Sequence, residues 1–136
     1  MTPISIPQHL MIPALISLIL ILLILIRAKR IFKNSKKTSA WIAAFAFLTI
    51  YLIIVGTAIY HDIYCQWDLN KYDLNMNGLF ESNEINSGQE EAFKRLTNDT
   101  GRNFALFTGL IFSGLISLFV FVIGLGFEKY IKLKKE

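Results

Sequence analysis

Asp73, Asn75, Asn77, Glu81 and Glu84 crowd carboxylate and amide side chains into twelve residues of this 136-residue chain. Their oxygens are hard donors, and such a concentration suits a hard cation. A second, sparser set consists of His9, which is expected just before the first helix, together with His61 and Cys65. Imidazole and thiol groups bind zinc or copper, and two histidines can hold a haem iron. His61 and Cys65 are four residues apart and would share a helix face. Cys65 is the only cysteine, which excludes an intramolecular disulfide. Asn98-Asp99-Thr100 fits the acceptor sequon for N-glycosylation. No Ser-His-Asp spacing, glycine-rich phosphate loop or Cys-x-x-Cys motif occurs, so the sequence points away from an enzyme.

The segment Asp73-Leu74-Asn75-Met76-Asn77-Gly78-Leu79-Phe80-Glu81-Ser82-Asn83-Glu84 matches D-x-[DN]-x-[DN]-G-x5-E at every constrained position. It thereby resembles the calcium-binding loop of the EF-hand family. The resemblance implies side-chain ligands from Asp73, Asn75 and Asn77, a backbone carbonyl from Leu79, and Glu81 acting directly or through water. Glu84 would be the bidentate ligand that closes the loop, Gly78 would allow the sharp turn, and Phe80 would fill the hydrophobic position. Three carboxylates and two neutral amides imply weak binding, in the range of about 10⁻⁴–10⁻³ M common to extracellular modules.

Beyond these twelve residues the resemblance thins. An EF-hand needs a helix on each side of its loop. The entering helix is expected as an apolar helix continuing through Ile63, Tyr64 and Trp67. On the exiting side Asn86, Ser87 and Gly88 interrupt any direct continuation. A new helix is expected with Ser87 as N-cap and Glu90 completing a capping box, running through Ala92, Phe93 and Leu96. It should turn at residues 98–101. EF-hands usually pair, but a second loop of this pattern is lacking, so a fixed structural site is as strong an expectation as a regulatory one.

The elements that must position this loop are written in the composition. Hydrophobic residues make up 54% of the chain and charged ones 18%, against about 25% charged in soluble domains. Residues 10–26, 40–60 and 104–127 contain no Asp, Glu, Lys or Arg. Each run is long enough for a helix to cross a bilayer, which takes about 17–25 apolar residues. The expected fold is therefore all-α: a three-span transmembrane protein with a short helix-loop-helix insertion at 61–102. A soluble enzyme, a disordered tail and a nucleic-acid binder are excluded as classes. Positive charge follows the first run instead of preceding it, so that run reads as a retained helix and not a signal peptide. Pro13 is expected in its first turn, and Pro3 and Pro7 should keep the segment before it irregular.

The net charge of +4 conceals opposed local charges. Arg27, Lys29, Arg30, Lys33, Lys36 and Lys37 fill the first connector, and Lys129, Lys132, Lys134 and Lys135 dominate the tail over Glu128 and Glu136. Segment 61–102 instead carries eight acids against four bases. Basic loops stay cytoplasmic, so the expected topology is N-terminus outside, basic connector and tail inside, acidic loop outside the cell or in the periplasm. Trp41, Phe127 and Tyr130 would then mark the inner interface, and Tyr60, Tyr64 and Trp67 the outer one. Ala105, Gly109, Ser113 and Ser117 form a small-residue stripe, with Ala43, Ala46, Thr49 and Gly56 as its expected counterpart. Internal packing is the simplest use of that stripe.

The functional expectation is an accessory or regulatory subunit of a membrane complex, its acidic loop ordered by Ca²⁺ and its partners the lipid bilayer and another membrane protein. One alternative is a channel or transporter subunit made by homo-oligomerisation through the stripe. The other is a haem or transition-metal protein using His9 and His61.

Overall fold

A computed structural model describes residues 4–34, 38–81 and 83–134. Within them lie the helices α1 (Gln8–Asn34), α2 (Thr38–Asn70), α3 (Ser87–Thr97), α4 (Thr100–Asn103) and α5 (Ala105–Leu133). Pro3, Lys36, Lys37, Lys135 and Glu136 of the sequence reading lie outside the described residues.

The chain is all-helical among those residues, and three of its helices, α1, α2 and α5, are long and apolar enough to cross a membrane. They contain 27, 33 and 29 residues. At 1.5 Å per residue these are about 40, 50 and 43 Å long, against a bilayer hydrocarbon core of about 30 Å. The surplus in α2 falls at its C-terminal end, where residues 61–70 continue the helix past the charge-free run. That rigid extension carries the loop.

α2 is the central element, with α1 packed on it along one seam and α5 along another. Leu10 and Ala14 of α1, Tyr51, Val55 and Ala58 of α2, and Ala105 of α5 form one buried cluster. Beyond the seams the helices expose large apolar side chains, including Ile19, Ile53 and Phe119. Water would penalise this surface, whereas hydrocarbon tails would not.

The small-residue stripe of α5 forms the seam with α2. A Cβ on Gly109 would lie 3.3 Å from the Tyr51 ring, Ser113 is fully buried, and Ser117 Oγ donates to the Ala43 carbonyl at 2.8 Å. The seam continues further toward the tail than the four-residue pattern indicated. A Cβ on Gly124 would come within 2.7 Å of Ser39 Cβ, and Glu128 Oε1 accepts from the Ser39 amide at 2.8 Å. On α2 the buried face comprises Ser39, Ala43, Tyr51, Val55 and Ala58. Of the expected counterpart, Ala43 belongs to this face. Gly56 does not, since nothing approaches within 4 Å of where its Cβ would be. One residue on from Val55, it is turned by about 100° around the helix.

Two boundary expectations are corrected at the start of α1. The helix begins at Gln8, so His9 lies within it and does not precede it. Pro13 consequently sits past the first turn, inside the helix. The Pro7 carbonyl opens the helix by accepting from the amides of Leu10 and Met11, both at 3.0 Å. Pro13 removes one backbone donor from the helix, and Ser17 Oγ donates to its carbonyl at 2.8 Å.

Candidate metal site at the loop end

The loop after α2 is organised by its first and last pattern residues. Glu84 is only 2% exposed. Its Oε1 accepts from the Leu74 and Asn75 amides at 2.9 and 3.1 Å, and its Oε2 from the Glu81 amide at 3.1 Å. One carboxylate therefore ties the final position of the segment to the second, third and ninth. Asp73, 5% exposed, accepts from the Gly78 amide through Oδ2 at 3.1 Å. Its other oxygen, Oδ1, is buried with no hydrogen-bond partner among the described residues.

Between these anchors the chain makes successive tight turns. Asn75 Oδ1 accepts from the Asn77 amide at 3.0 Å, and Asn77 Oδ1 from the Leu79 amide at 2.7 Å. Asn77 Nδ2 donates to Glu81 Oε1 at 3.1 Å. Gly78 has φ +82°, as the turn requires of a residue without Cβ. Met76 is also left-handed, at φ +59°, a conformation that costs a non-glycine residue about 1–2 kcal/mol. Leu79 is exposed, while Phe80 lines a cavity of about 250 Å³ with Asp73, Leu69 of α2 and Leu96 of α3.

The donor set fits a hard cation in part. An amide oxygen has two lone pairs, so Asn75 and Asn77 each retain one after accepting a single N–H. Asp73 Oδ1 retains both of its own. Glu84 differs: three of its roughly four acceptor sites are taken by backbone amides, which leaves no room for bidentate ligation in this conformation. Among the described residues no three His, Cys, Asp or Glu side chains converge as a metal cluster. Asp73 and Glu84 are buried, but Glu81 is exposed and held by Asn77.

The flanking helices follow the sequence reading with a one-residue change. α2 enters the loop as a continuation of the apolar helix. α3 begins at Ser87, but its N-cap is Asn86, whose Oδ1 accepts from the Gln89 amide at 3.0 Å. Asn and Ser cap about equally well, and Asn86 has the extended backbone that a cap needs, at φ −143° and ψ 171°. The turn expected at 98–101 is narrower, at Asn98 and Asp99, because Asp99 caps a short α4 that begins at Thr100, its Oδ1 accepting from the Arg102 amide at 2.9 Å.

Sequence reasoning missed the network beneath the loop. Arg102 is 6% exposed; its Nε lies 3.2 Å from Asp62 Oδ1, and its guanidinium also donates to the Leu96 carbonyl. Gln66 Nε2 donates to Asp62 Oδ2 and to the Ser5 carbonyl, both at 2.8 Å, and Gln66 Oε1 accepts from the Ser5 amide at 2.7 Å. Higher on the same helix Asp68 pairs with Lys71 and with Arg95 of α3, each at 3.1 Å. These pairs join residues up to 61 positions apart, and nothing in their spacing announces them. The available signals were local: Asp62 and Gln66 are four apart, and Asp68 and Lys71 three, as neighbours on one helical face are.

His9, His61 and Cys65 are not gathered around one cleft. His61 and Cys65 line a cleft between α2 and α3 together with Lys94, Asn98 and Asp99. His9 lines another, with Ser5, Asp62 and Gln66. Asn98 of the sequon is exposed.

Neither a protein-family model, nor a curated protein, nor a solved structure matches this chain.

Proposed function

We propose that this chain is an integral membrane protein that binds one Ca²⁺ in the loop Asp73–Glu84 outside the cell or in the periplasm. The observation that carries the reading is Asp73 Oδ1, a buried carboxylate oxygen without a partner at the first position of the loop. A buried, unsatisfied charged group is costly, and a cation would satisfy it. Asn75, Asn77, the Leu79 carbonyl and Glu81 would join Asp73. Glu84 would complete the set by releasing backbone amides, so metal binding and loop conformation would be coupled.

α1, α2 and α5 would span the bilayer with basic residues on the cytoplasmic side and the acidic loop opposite. Tethered at both ends, the ordered loop would offer a docking surface to another membrane protein, as an accessory or regulatory subunit does. The stripe on α5 is taken up by α2, which weakens a channel built through that stripe.

Limited proteolysis of the purified protein tests the proposal. Calcium should protect the loop in wild type, and Asp73→Ala with Glu84→Ala should abolish that protection. Cleavage that is equal with calcium and with chelator, in wild type and variant alike, would overturn it.

A further inference from the structure

Asn77-Gly78 is the only Asn-Gly pair in the chain. An asparagine followed by glycine can react with its own backbone. The next residue's amide nitrogen reaches the side-chain carbonyl carbon, and no Cβ stands in the way. The pair lies within the largely exposed stretch 74–79 of the loop after α2.

The closed loop holds all three reacting groups. The Leu79 amide donates to Asn77 Oδ1 at 2.7 Å, Asn77 Nδ2 donates to Glu81 Oε1 at 3.1 Å, and the Gly78 amide donates to Asp73 Oδ2 at 3.1 Å. With the Gly78 N–H committed to Asp73, attack on Asn77 must await local opening. Two features make opening easy. Asn77, Leu79 and Glu81 are exposed, so water competes for these bonds, and segments with few buried contacts open well before the whole chain unfolds. Met76, next to Asn77, is held at φ +59°, where a residue with a Cβ is strained.

We propose that Asn77 is a site of self-modification, deamidating through a cyclic imide with Gly78 at a rate set by opening of the loop. In the first step the Gly78 nitrogen loses its proton to solvent and bonds to Asn77 Cγ. The Cγ–Nδ2 bond breaks, and Nδ2 takes up a proton and leaves as ammonia. In the second step water adds to one of the two ring carbonyls. Breaking the bond from the ring nitrogen to Cγ leaves aspartate at position 77; breaking the bond to the main-chain carbonyl carbon leaves isoaspartate. Nothing is oxidised or reduced, and water is the only co-reactant. The aspartate product brings a further carboxylate into the segment that already holds Asp73, Glu81 and Glu84. The isoaspartate product lengthens the main chain by one carbon at the turn that Asp73 fixes on Gly78. Neither step needs calcium, so this chemistry stands apart from the metal site proposed above.

The test incubates the purified full chain for weeks at neutral pH, with a calcium chelator, in heavy-oxygen water. Loop peptides are then read by mass spectrometry with fragmentation that separates aspartate from isoaspartate. Residue 77 should gain solvent oxygen and yield both products, while Asn75, in the same loop but followed by Met76, stays an amide. Glu84→Gln should speed the conversion about tenfold, in step with faster protease cleavage of the loop, since both follow local opening. An amide that persists at residue 77, conversion of Asn75 at the same rate, or aspartate without isoaspartate would each overturn the proposal. So would a conversion rate that Glu84→Gln leaves unmoved while it does speed cleavage.

Discussion

Glu84 holds the loop in a conformation that the proposed calcium ion would have to change. Its buried carboxylate accepts three backbone amides, and hydrogen bonds to a charged group contribute about 1.5–3 kcal/mol each. Glu84→Gln keeps the shape but replaces one acceptor oxygen with a donor that would face an amide. Without calcium, this variant should be cleaved in the loop at least about tenfold faster than wild type, as expected for a loss of about 1.4 kcal/mol when cleavage follows local opening. Unchanged cleavage would mean that these bonds do not hold the loop. Asp73 plays the complementary part, with one oxygen fixing the Gly78 turn and the other buried without a hydrogen-bond partner, where the proposed cation would sit.

At the scale of elements, the decisive feature is the length of α2. Its ten residues beyond the charge-free run turn a connector into a pillar, against which Asp68 and Arg95, and Asp62 and Arg102, fasten α3 and α4. The apolar runs made the three long helices legible, because hydrophobic length is a local property of sequence. The loop turns at Gly78 were legible for the same reason. Arg102 was not: a lone arginine near an apolar run reads as an interface charge until the fold brings Asp62 and the Leu96 carbonyl to it. The cap at Asn86 was misassigned by one residue because Asn86 and Ser87 are both good caps and only the backbone conformation chooses between them. The stripe on α5 was legible through its four-residue period, whereas its partner face on α2 mixes the small Ser39, Ala43 and Ala58 with the larger Tyr51 and Val55, so a search for small residues found Ala43 and wrongly added Gly56. Gly109 packs against Tyr51, so Gly109→Val should push α5 from α2. An overpacking penalty of about 1–3 kcal/mol is expected, measurable as a lower unfolding midpoint in detergent. Gly56→Ala, whose Cβ would meet nothing, should leave that midpoint unlowered or raise it, since alanine favours a helix interior over glycine by about 0.5–1 kcal/mol.

At the scale of the whole molecule, charge and hydrophobicity divide the chain along its long axis. The acidic segment 61–102 sits at one end of the helices, and the basic connector and tail belong to the other. In the proposed topology Cys65, partly exposed and the only thiol, lies outside. A membrane-impermeant maleimide should therefore label intact cells through Cys65. In the Cys65→Ser, Lys134→Cys variant it should label only after the membrane is broken. The reverse pattern would invert the topology.

Calcium binding itself is the most direct measurement. Equilibrium dialysis of the purified full-length protein against radiolabelled calcium should give one saturable site per chain, with a dissociation constant in the range of about 10⁻⁴–10⁻³ M. Asp73→Asn, which keeps the size of the side chain and removes its charge, should lose that site. Absence of saturable binding in wild type, or binding that Asp73→Asn leaves untouched, would contradict the account.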